Sequence, residues 1–227
     1  MNIPNYQNLT MPELVAIQHE LAAQVITTDQ FKMPLTYIAG ADVSYDIKSG
    51  VHVAAVVLFE MPTLTVIETV FAQDVTTFPY IPGFLSFREV PAIIKALNML
   101  TIKPDLIICD GQGIAHPRGL GIASHIGILT DIPTIGCAKK RLVGHAHEVD
   151  TLRGAMQPLV YKKKTVGMVV RTKNKVKPLY ISPGHKISLQ TAVDIVMQTS
   201  QGYRLPEPTR LADKMVRHYV QNLKIAD

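Results

Sequence analysis

Tyr37-Ile-Ala-Gly-Ala-Asp-Val-Ser-Tyr45 is the first of three extended segments that follow one another closely in this chain. The second is Val51-His-Val-Ala-Ala-Val-Val-Leu-Phe59, and the third is Leu64-Thr-Val-Ile-Glu-Thr-Val70. The short connections between them, residues 46–50 and 60–63, carry turn residues, as β-hairpins require. We therefore predict three consecutive strands joined by hairpins.

Helical and extended patterns surround these strands. An amphipathic helix is predicted at 13–26, before the first strand, and four further helices at 91–100, 121–129, 189–199 and 211–220. Buried or half-buried strands are predicted at 105–110, 133–137, 165–171 and 179–182. Hairpin strands followed by alternating helices and strands predict an α/β fold, with a mixed sheet flanked by helices.

Composition limits the class of protein. The chain has 227 residues, of which 47% are hydrophobic, and no linker divides it, so we expect a single domain over 1–227. No apolar run approaches the roughly 20 residues of a membrane span, and no signal peptide is evident. Only two cysteines are present, which favours a reducing, cytoplasmic location. A net charge of +5 favours a polyanionic partner.

Two aspartates stand where strands are predicted. Asp42 interrupts an apolar segment and shares one strand face with Ile38 and Gly40. Asp110 ends an apolar run, immediately before Gly111, where the chain leaves the sheet. A buried carboxylate is costly unless it is paired. Each aspartate is therefore either a structural partner of an arginine or a ligand of a cation.

Two further acids, Glu89 and Asp213, also have both a structural and a metal-binding interpretation. Ser86 and Glu89 match a helix-capping box, but Pro91 suggests that the helix begins later and leaves Glu89 free. Asp213 lies on the last predicted helix, where an acid in the first turn would also favour the helix dipole. Four acids together favour a site of oxygen ligands for Mg²⁺, with Mn²⁺ as a substitute. The histidines do not have zinc-site spacing, and there is no CxxC motif.

Two loops have unusual compositions. In Phe78-Pro-Tyr-Ile-Pro-Gly-Phe-Leu-Ser-Phe-Arg-Glu89, two prolines brace an aromatic residue, as in a wedge that enters stacked bases; the alternative is an ordinary surface turn. The glycine-rich loop from Asp110 to His125 lets backbone approach a ligand, but it has neither a GxGxxG nor a GK[ST] pattern, so no nucleotide cofactor is predicted.

Basic residues in and after this loop have two interpretations each. His116 and Arg118 are placed to contact a phosphate or hold a water, whereas His125 is typical of a core histidine. Lys139 either offsets the clustered carboxylates or is a solvated strand end. The lysine runs 162–164 and 173–177 are either solvated turns or phosphate-contacting rims.

Five motifs, in order along the chain, resemble the endonuclease V family. They are Ala39-Gly-Ala-Asp-Val43, Pro79-Tyr-Ile-Pro-Gly-Phe-Leu-Ser-Phe-Arg-Glu89, Asp110-Gly-x-Gly-Ile-x-His-Pro-Arg118, Gly136-x-Ala-Lys-Lys140 and Gly202-Tyr-Arg-Leu-Pro-Glu-Pro-Thr-Arg210. The second and third are long enough to make a chance match implausible. The resemblance implies a ribonuclease H-like fold and a Mg²⁺-dependent repair nuclease that acts on DNA containing deoxyinosine.

The resemblance also implies roles for individual residues. It makes metal ligands of four acids, namely Asp42, Glu89, Asp110 and Asp213, and places His116 and Lys139 near the cleavage site. A wedge that separates the strands is expected around Tyr80. The residues expected to contact the substrate are Tyr80, Ile81, Pro82, Gly83, Leu85 and Gly111. The expected cut is at the second phosphodiester 3′ to the lesion.

Two other functions remain open from the sequence. One is a non-catalytic module that binds damaged bases, although four retained acids would weaken simple binding to a polyanion. The other is cleavage of inosine-containing RNA, since nothing in the sequence reports on recognition of the ribose 2′-hydroxyl. A monomer is expected.

Overall fold

One eight-stranded mixed sheet is the centre of the structure, a computed structural model that describes residues 1–46, 50–75, 78 and 81–223. Its strands are β1 Tyr37–Tyr45, β2 Val51–Glu60, β3 Thr65–Val75, β4 Leu106–Cys109, β5 Thr134–Ala138, β6 Met156–Tyr161, β7 Lys164–Val170 and β8 Leu179–His185. The helices are α1 Met11–Ala22, α2 Leu85–Met99, α3 Ile122–Thr130, α4 Leu189–Thr199 and α5 Glu207–Leu223.

The strands lie in the order β3-β2-β1-β4-β5-β8-β7-β6. The first three strands form the predicted antiparallel hairpins. β4 then adds to β1 in parallel, and β5 adds to β4 in parallel. Consequently β1, β4 and β5 end at the same edge of the sheet, where functional groups commonly gather in α/β proteins.

Alternation along β1 divides the core into two layers. Ala39 and Ala41 face a cluster formed with α2 and α3. Ile38 faces the opposite cluster, which includes residues of α4 and α5. Gly40 and Asp42 therefore share the α5 side of the sheet with Ile38, as the period of two predicts.

Gly40 lets α5 lie directly on β1. A Cβ at position 40 would overlap the backbone of Pro208, in the first turn of α5. Glycine is therefore the residue that this close approach requires. The contact seats the beginning of α5 against the strand that carries Asp42, and Asp213 follows on the same helix.

The predicted start of α2 was wrong. The helix begins at Leu85, with Pro91 inside it, so Glu89 is the fifth helical residue and the capping box of Ser86 and Glu89 is not formed. An internal proline costs roughly 3 kcal/mol. Burial of one large apolar side chain contributes about 1.5–3 kcal/mol, and this helix buries several against the sheet and α3: Val90, Ile93, Ile94 and Leu97.

Other elements also differ from the prediction: α1 ends at Ala22 rather than at residue 26, and β3 continues to Val75 rather than ending at residue 70. Helix α5 begins at Glu207 rather than at residue 211, because Pro208 is tolerated in a first helical turn. Asp213 is consequently in the second turn, which removes the helix-dipole explanation for it. Strand β6 was not predicted; it contains Pro158, and it lies at the edge of the sheet, where proline is allowed.

The architecture is the predicted ribonuclease H-like one, a mixed α/β sheet flanked by helices. Both cysteines, Cys109 and Cys137, are buried and free. Within the described ranges, none of the helices is long and apolar enough to cross a membrane.

Candidate active site

Three of the four predicted acidic ligands meet just beyond the end of β4, beside the second half of β1. The parallel register pairs Ala41 with Cys109, so Asp42 and Asp110 come next on adjacent strands. The Asp110 amide donates to the carbonyl of Ala41 at 3.3 Å, which continues that register past the end of β4. Asp213 reaches the same point from α5. One carboxylate oxygen of each of the three residues lies within 4.8 Å of the others.

Lys139 bridges two of these carboxylates. It follows β5, and its Nζ forms ion pairs with Asp110 and, at 2.8 Å, with Asp213. Arg217, one turn further along α5, also contacts Asp213 at 2.8 Å. The Lys139 ammonium therefore offsets the repulsion among the acids, rather than being a solvated strand end. Arg204 holds this lysine in place, because its guanidinium donates to the Lys139 carbonyl at 2.9 Å.

Asp42 has no ion-pair partner among the residues that the structure describes. Burial, followed by the charge of Asp110, raises the pKa of Asp42 to about 7. Burial likewise raises the pKa of Asp110, although Lys139 opposes the effect. Among the described residues, no arginine forms an ion pair with Asp42 or Asp110, so the arginine-paired explanation does not fit them.

Glu89 is close to the acidic cluster without belonging to it. Its carboxylate lies outside the group of oxygens within 4.8 Å. Burial and then the charges of Asp42 and Asp110 raise the pKa of Glu89 to about 8. The structure thus gathers three of the four predicted ligands and leaves the fourth nearby on α2.

These carboxylates fit a divalent metal ion. Three half-buried acids with converging oxygens and too few cationic partners are costly in the absence of a cation. Hard oxygen ligands are those that Mg²⁺ and Mn²⁺ prefer. We therefore consider Asp42, Asp110 and Asp213 the ligand set that this geometry supports, with Glu89 within electrostatic reach.

A cavity of about 460 Å³ lies beside the acidic cluster. Six residues that the sequence assigned to substrate or to the cleavage site line its wall: Pro82, Gly83, Leu85, Gly111, His116 and Lys139. Lys139 lines this cavity and also the cleft that contains the three aspartates. Asp110 lines the cleft and the next residue, Gly111, lines the cavity, so the cleft and the cavity are adjacent.

A dense set of hydrogen bonds holds the turn at Gly83, where φ is +79°. Its carbonyl accepts from Arg118 Nη2 and Gln18 Nε2, each at 2.8 Å, and from His116 Nε2 at 3.1 Å. The Nδ1 of His116 accepts from the Arg118 amide at 3.3 Å, so the proton of this neutral ring is on Nε2. Both nitrogens of His116 therefore support the turn, and its predicted part in cleavage stays a prediction.

Of the residues predicted to contact the substrate, Ile81 lies away from the cavity, and Tyr80 falls outside the residues that the structure describes. Ile81 does not line the cavity; it packs against a hydrophobic cluster that includes Tyr6, Phe84 and Phe87. Pro79 and Tyr80 lie outside the described residues, so the wedge stays a prediction. The lysine runs 162–164 and 173–177 are exposed, and both of their interpretations remain open.

His125 is the core histidine that the sequence predicted. It is fully buried, and burial lowers its pKa to about 3, so the ring is neutral. Its two nitrogens contact the Tyr6 hydroxyl at 2.7 Å and the Ser86 hydroxyl at 3.1 Å. Sequence reasoning missed both partners, because Tyr6 is 119 residues away and Ser86 was considered only as a helix cap.

Comparison with known proteins gives consistent matches over most of the chain. A family model described as endonuclease V matches residues 19–214. Endonuclease V of Nostoc punctiforme is 54% identical over 206 residues, which are 91% of this chain and 93% of that protein. The crystal structure of endonuclease V from Streptomyces avermitilis superposes with a TM-score of 0.92 at 39% identity, covering 98% of both chains.

A further match includes nucleic acid. It is Ciona intestinalis endonuclease V, in complex with a 24mer DNA containing an inosine followed by a ribo-adenosine. The TM-score is 0.81 at 27% identity, covering 94% of this chain and 98% of that one.

Proposed function

Because this chain belongs to the endonuclease V family of nucleases, we propose that it hydrolyses a phosphodiester bond in DNA that contains deoxyinosine. The 227 residues would form a single catalytic domain that acts as a monomer in the cytoplasm. The inosine-containing DNA bound by the Ciona relative supports this substrate. The observation that carries the proposal is the pairing of an acidic cleft with a cavity next to it.

The acidic cleft would be the hydrolytic centre. Asp42, Asp110 and Asp213 would hold Mg²⁺, or Mn²⁺ in its place, and Glu89 would complete the ligand set. When bound, the ion lowers the pKa of a water and stabilises negative charge on phosphate oxygens. In the reaction, water adds to phosphorus and the 3′-oxygen leaves, which produces 3′-hydroxyl and 5′-phosphate ends. No side chain forms a covalent bond to the substrate.

Lys139 would orient the scissile phosphate. Its Nζ lies between Asp110 and Asp213 and lines both the cleft and the cavity. An ammonium at that point attracts a phosphate towards an otherwise negative centre. The family resemblance places His116 nearby, where its neutral ring would keep the Gly83 turn against the substrate.

The cavity would receive the lesion base. Its volume of about 460 Å³ is sufficient for a purine and part of its sugar. Its separation from the acidic cleft supports a cut displaced from the lesion, at the second phosphodiester on the 3′ side. Extraction of the base costs a few kcal/mol, least at a mispaired or damaged site. Tyr80 would hold the gap open.

Backbone groups around Gly83, Leu85 and Gly111 would contact the base edge. The Gly83 carbonyl, however, already accepts three hydrogen bonds. A carbonyl has two lone pairs, so this oxygen has none left for the base. The first amides of α2, which begins at Leu85 on the cavity wall, have no acceptor within the helix and are better placed as donors.

The test is cleavage of end-labelled strands that contain a single inosine or adenine, in DNA and in RNA, with MgCl₂ or with EDTA. We expect a nick at the second phosphodiester on the 3′ side of the lesion. It should form only in inosine-DNA and only in the presence of the metal. Asp110→Asn should abolish the nick and retain binding in a gel-shift assay. Binding of inosine-DNA without any nick would favour a damage-binding module, and preferential cutting of inosine-RNA would favour an RNA substrate.

A further inference from the structure

A buried chain of hydrogen bonds connects the N-terminal segment to the wall of the base cavity. The Tyr6 hydroxyl lies 2.7 Å from His125 Nε2, and His125 Nδ1 lies 3.1 Å from Ser86 Oγ. All three residues are at least nine-tenths buried. Ser86, the last member of the chain, lines the cavity. The chain therefore ends on a hydroxyl at the place where a base would bind.

The direction of these hydrogen bonds follows from counting donors. A neutral imidazole has one N–H donor and one acceptor nitrogen. If Tyr6 accepts from Nε2, Ser86 must donate to Nδ1, and the phenolic proton is left without a partner in the described part of the chain. If Tyr6 donates to Nε2, the Nδ1 proton goes to the Ser86 oxygen. The Ser86 proton is then free for the cavity.

The second arrangement is the more stable one. Tyr6 and Ser86 each border a cavity, so the distances decide between the two arrangements. The 2.7 Å between the Tyr6 oxygen and Nε2 is typical of an O–H donor, and the 3.1 Å between Nδ1 and the Ser86 oxygen is typical of an N–H donor. Tyr6 and His125 thus orient Ser86 as a hydrogen-bond donor towards the cavity.

We propose that Ser86 reads the 6-position of the bound base as a specificity-determining residue, with Tyr6 and His125 as positioning residues. Hypoxanthine has a carbonyl oxygen at this position and accepts the hydrogen bond. Adenine has an amine, which would meet the Ser86 donor with a second donor. The inference rests on the proposed function, and it adds a side-chain contact to a pocket otherwise formed by backbone.

The test compares two bases in single-stranded DNA of one sequence. Deoxyinosine carries the 6-oxo group, and deoxynebularine, the purine without a substituent at that position, does not. Single-turnover rates are measured for the wild-type enzyme and for Ser86→Ala. We expect Ser86→Ala to cut the inosine strand about 10-fold more slowly and the nebularine strand at the wild-type rate. Where a strand is cut too slowly for its rate to be measured, competition binding gives the ratio of the affinities of wild type and Ser86→Ala for that strand instead.

Two further variants separate base reading from folding. Tyr6→Phe removes the donor that orients His125, so we expect a smaller loss that is again confined to the inosine strand. Ser124→Ala is the matched control, since this buried serine is adjacent to His125 in sequence, its hydroxyl has no partner among the described residues, and it does not line the cavity. It should leave both rates unchanged.

A result that contradicts the role of Ser86 can be told apart from one that contradicts the proposed function. An equal loss on both strands in Ser86→Ala, or no loss on inosine, would overturn the role of Ser86 while wild-type cleavage of inosine-DNA stands. Failure of the wild-type enzyme to cut the inosine strand would instead refute the proposed function itself.

Discussion

Replacement of Asp42 by asparagine should make the metal-free protein more stable at high pH. The pKa of this carboxyl rises from its usual 3.8 to about 7 on folding, first because of burial and then because of Asp110. The folded state therefore holds the proton more tightly than the unfolded state. Stability in EDTA should accordingly fall as pH rises from about 4 to about 7 and remain lower above that range. Asparagine cannot ionise and escapes this loss.

The magnitude follows from the size of the shift. A shift from 3.8 to about 7, at 1.36 kcal/mol per pKa unit, corresponds to about 4 kcal/mol in total. Roughly 2.5 kcal/mol of this falls between pH 5 and pH 8, because the unfolded carboxyl is already ionised at pH 5. Groups remote from Asp42 titrate alike in both proteins and cancel in the difference between Asp42→Asn and wild type. Glu89 does not cancel: the charge of Asp42 helps to raise its pKa, so removal of that charge adds to the gain of the variant.

The assay is urea unfolding of both proteins in EDTA at several pH values, repeated in MgCl₂. In EDTA, we expect the free energy of unfolding of Asp42→Asn, relative to that of the wild type, to increase by about 2.5 kcal/mol from pH 5 to pH 8. In MgCl₂, the wild type should regain stability at pH 8 and the variant much less, because a bound cation stabilises the folded state only where its ligands are complete.

Parallel pH profiles for the two proteins in EDTA would refute the reasoning. They would show that Asp42 ionises normally in the folded protein and that the acidic cluster is well solvated. A gain in MgCl₂ that is equal for both proteins would show that the ion binds elsewhere.

Three other changes have defined outcomes. Gly40→Ala should force α5 away from β1, because a Cβ would overlap the Pro208 backbone; we expect a loss of about 1–3 kcal/mol in urea unfolding, together with weaker Mg²⁺ stabilisation as Asp213 moves. Gly111→Ala should narrow the cavity against Ile122 and slow cleavage of inosine-DNA while leaving the response of the melting temperature to Mg²⁺ intact; an unchanged rate would place the base elsewhere. Tyr80→Ala should impair cleavage of duplexes more than of single strands with the same lesion, measured as a ratio of single-turnover rates, and an equal loss on both would argue against a wedge.

Local patterns in the chain were enough to predict most of the fold. Period-two alternation and turn residues predicted β1 to β3 and their hairpins, and the parallel strands β4 and β5 followed from short apolar runs. The predicted ends of α1 and β3 were wrong, and three further differences involve proline. Pro91 and Pro208 lie inside helices, and Pro158 lies on an edge strand. Local propensity disfavours Pro91 and Pro158, which burial and an edge location permit, whereas Pro208 lies in a first helical turn, where proline is tolerated.

The candidate site, like the fold, could be predicted from the sequence only in part. From the sequence, Asp42 could be placed on a strand and Asp110 at the end of another, but the parallel pairing that makes them neighbours was found only in the structure. That Asp213 joins them depends on the close contact of α5 with Gly40, which no local pattern encodes. The occupied Gly83 carbonyl and the chain from Tyr6 through His125 to Ser86 likewise depend on residues far apart in sequence. Secondary structure follows from periodicity within one segment, whereas a site follows from distances between segments, and those are set only when the whole core packs.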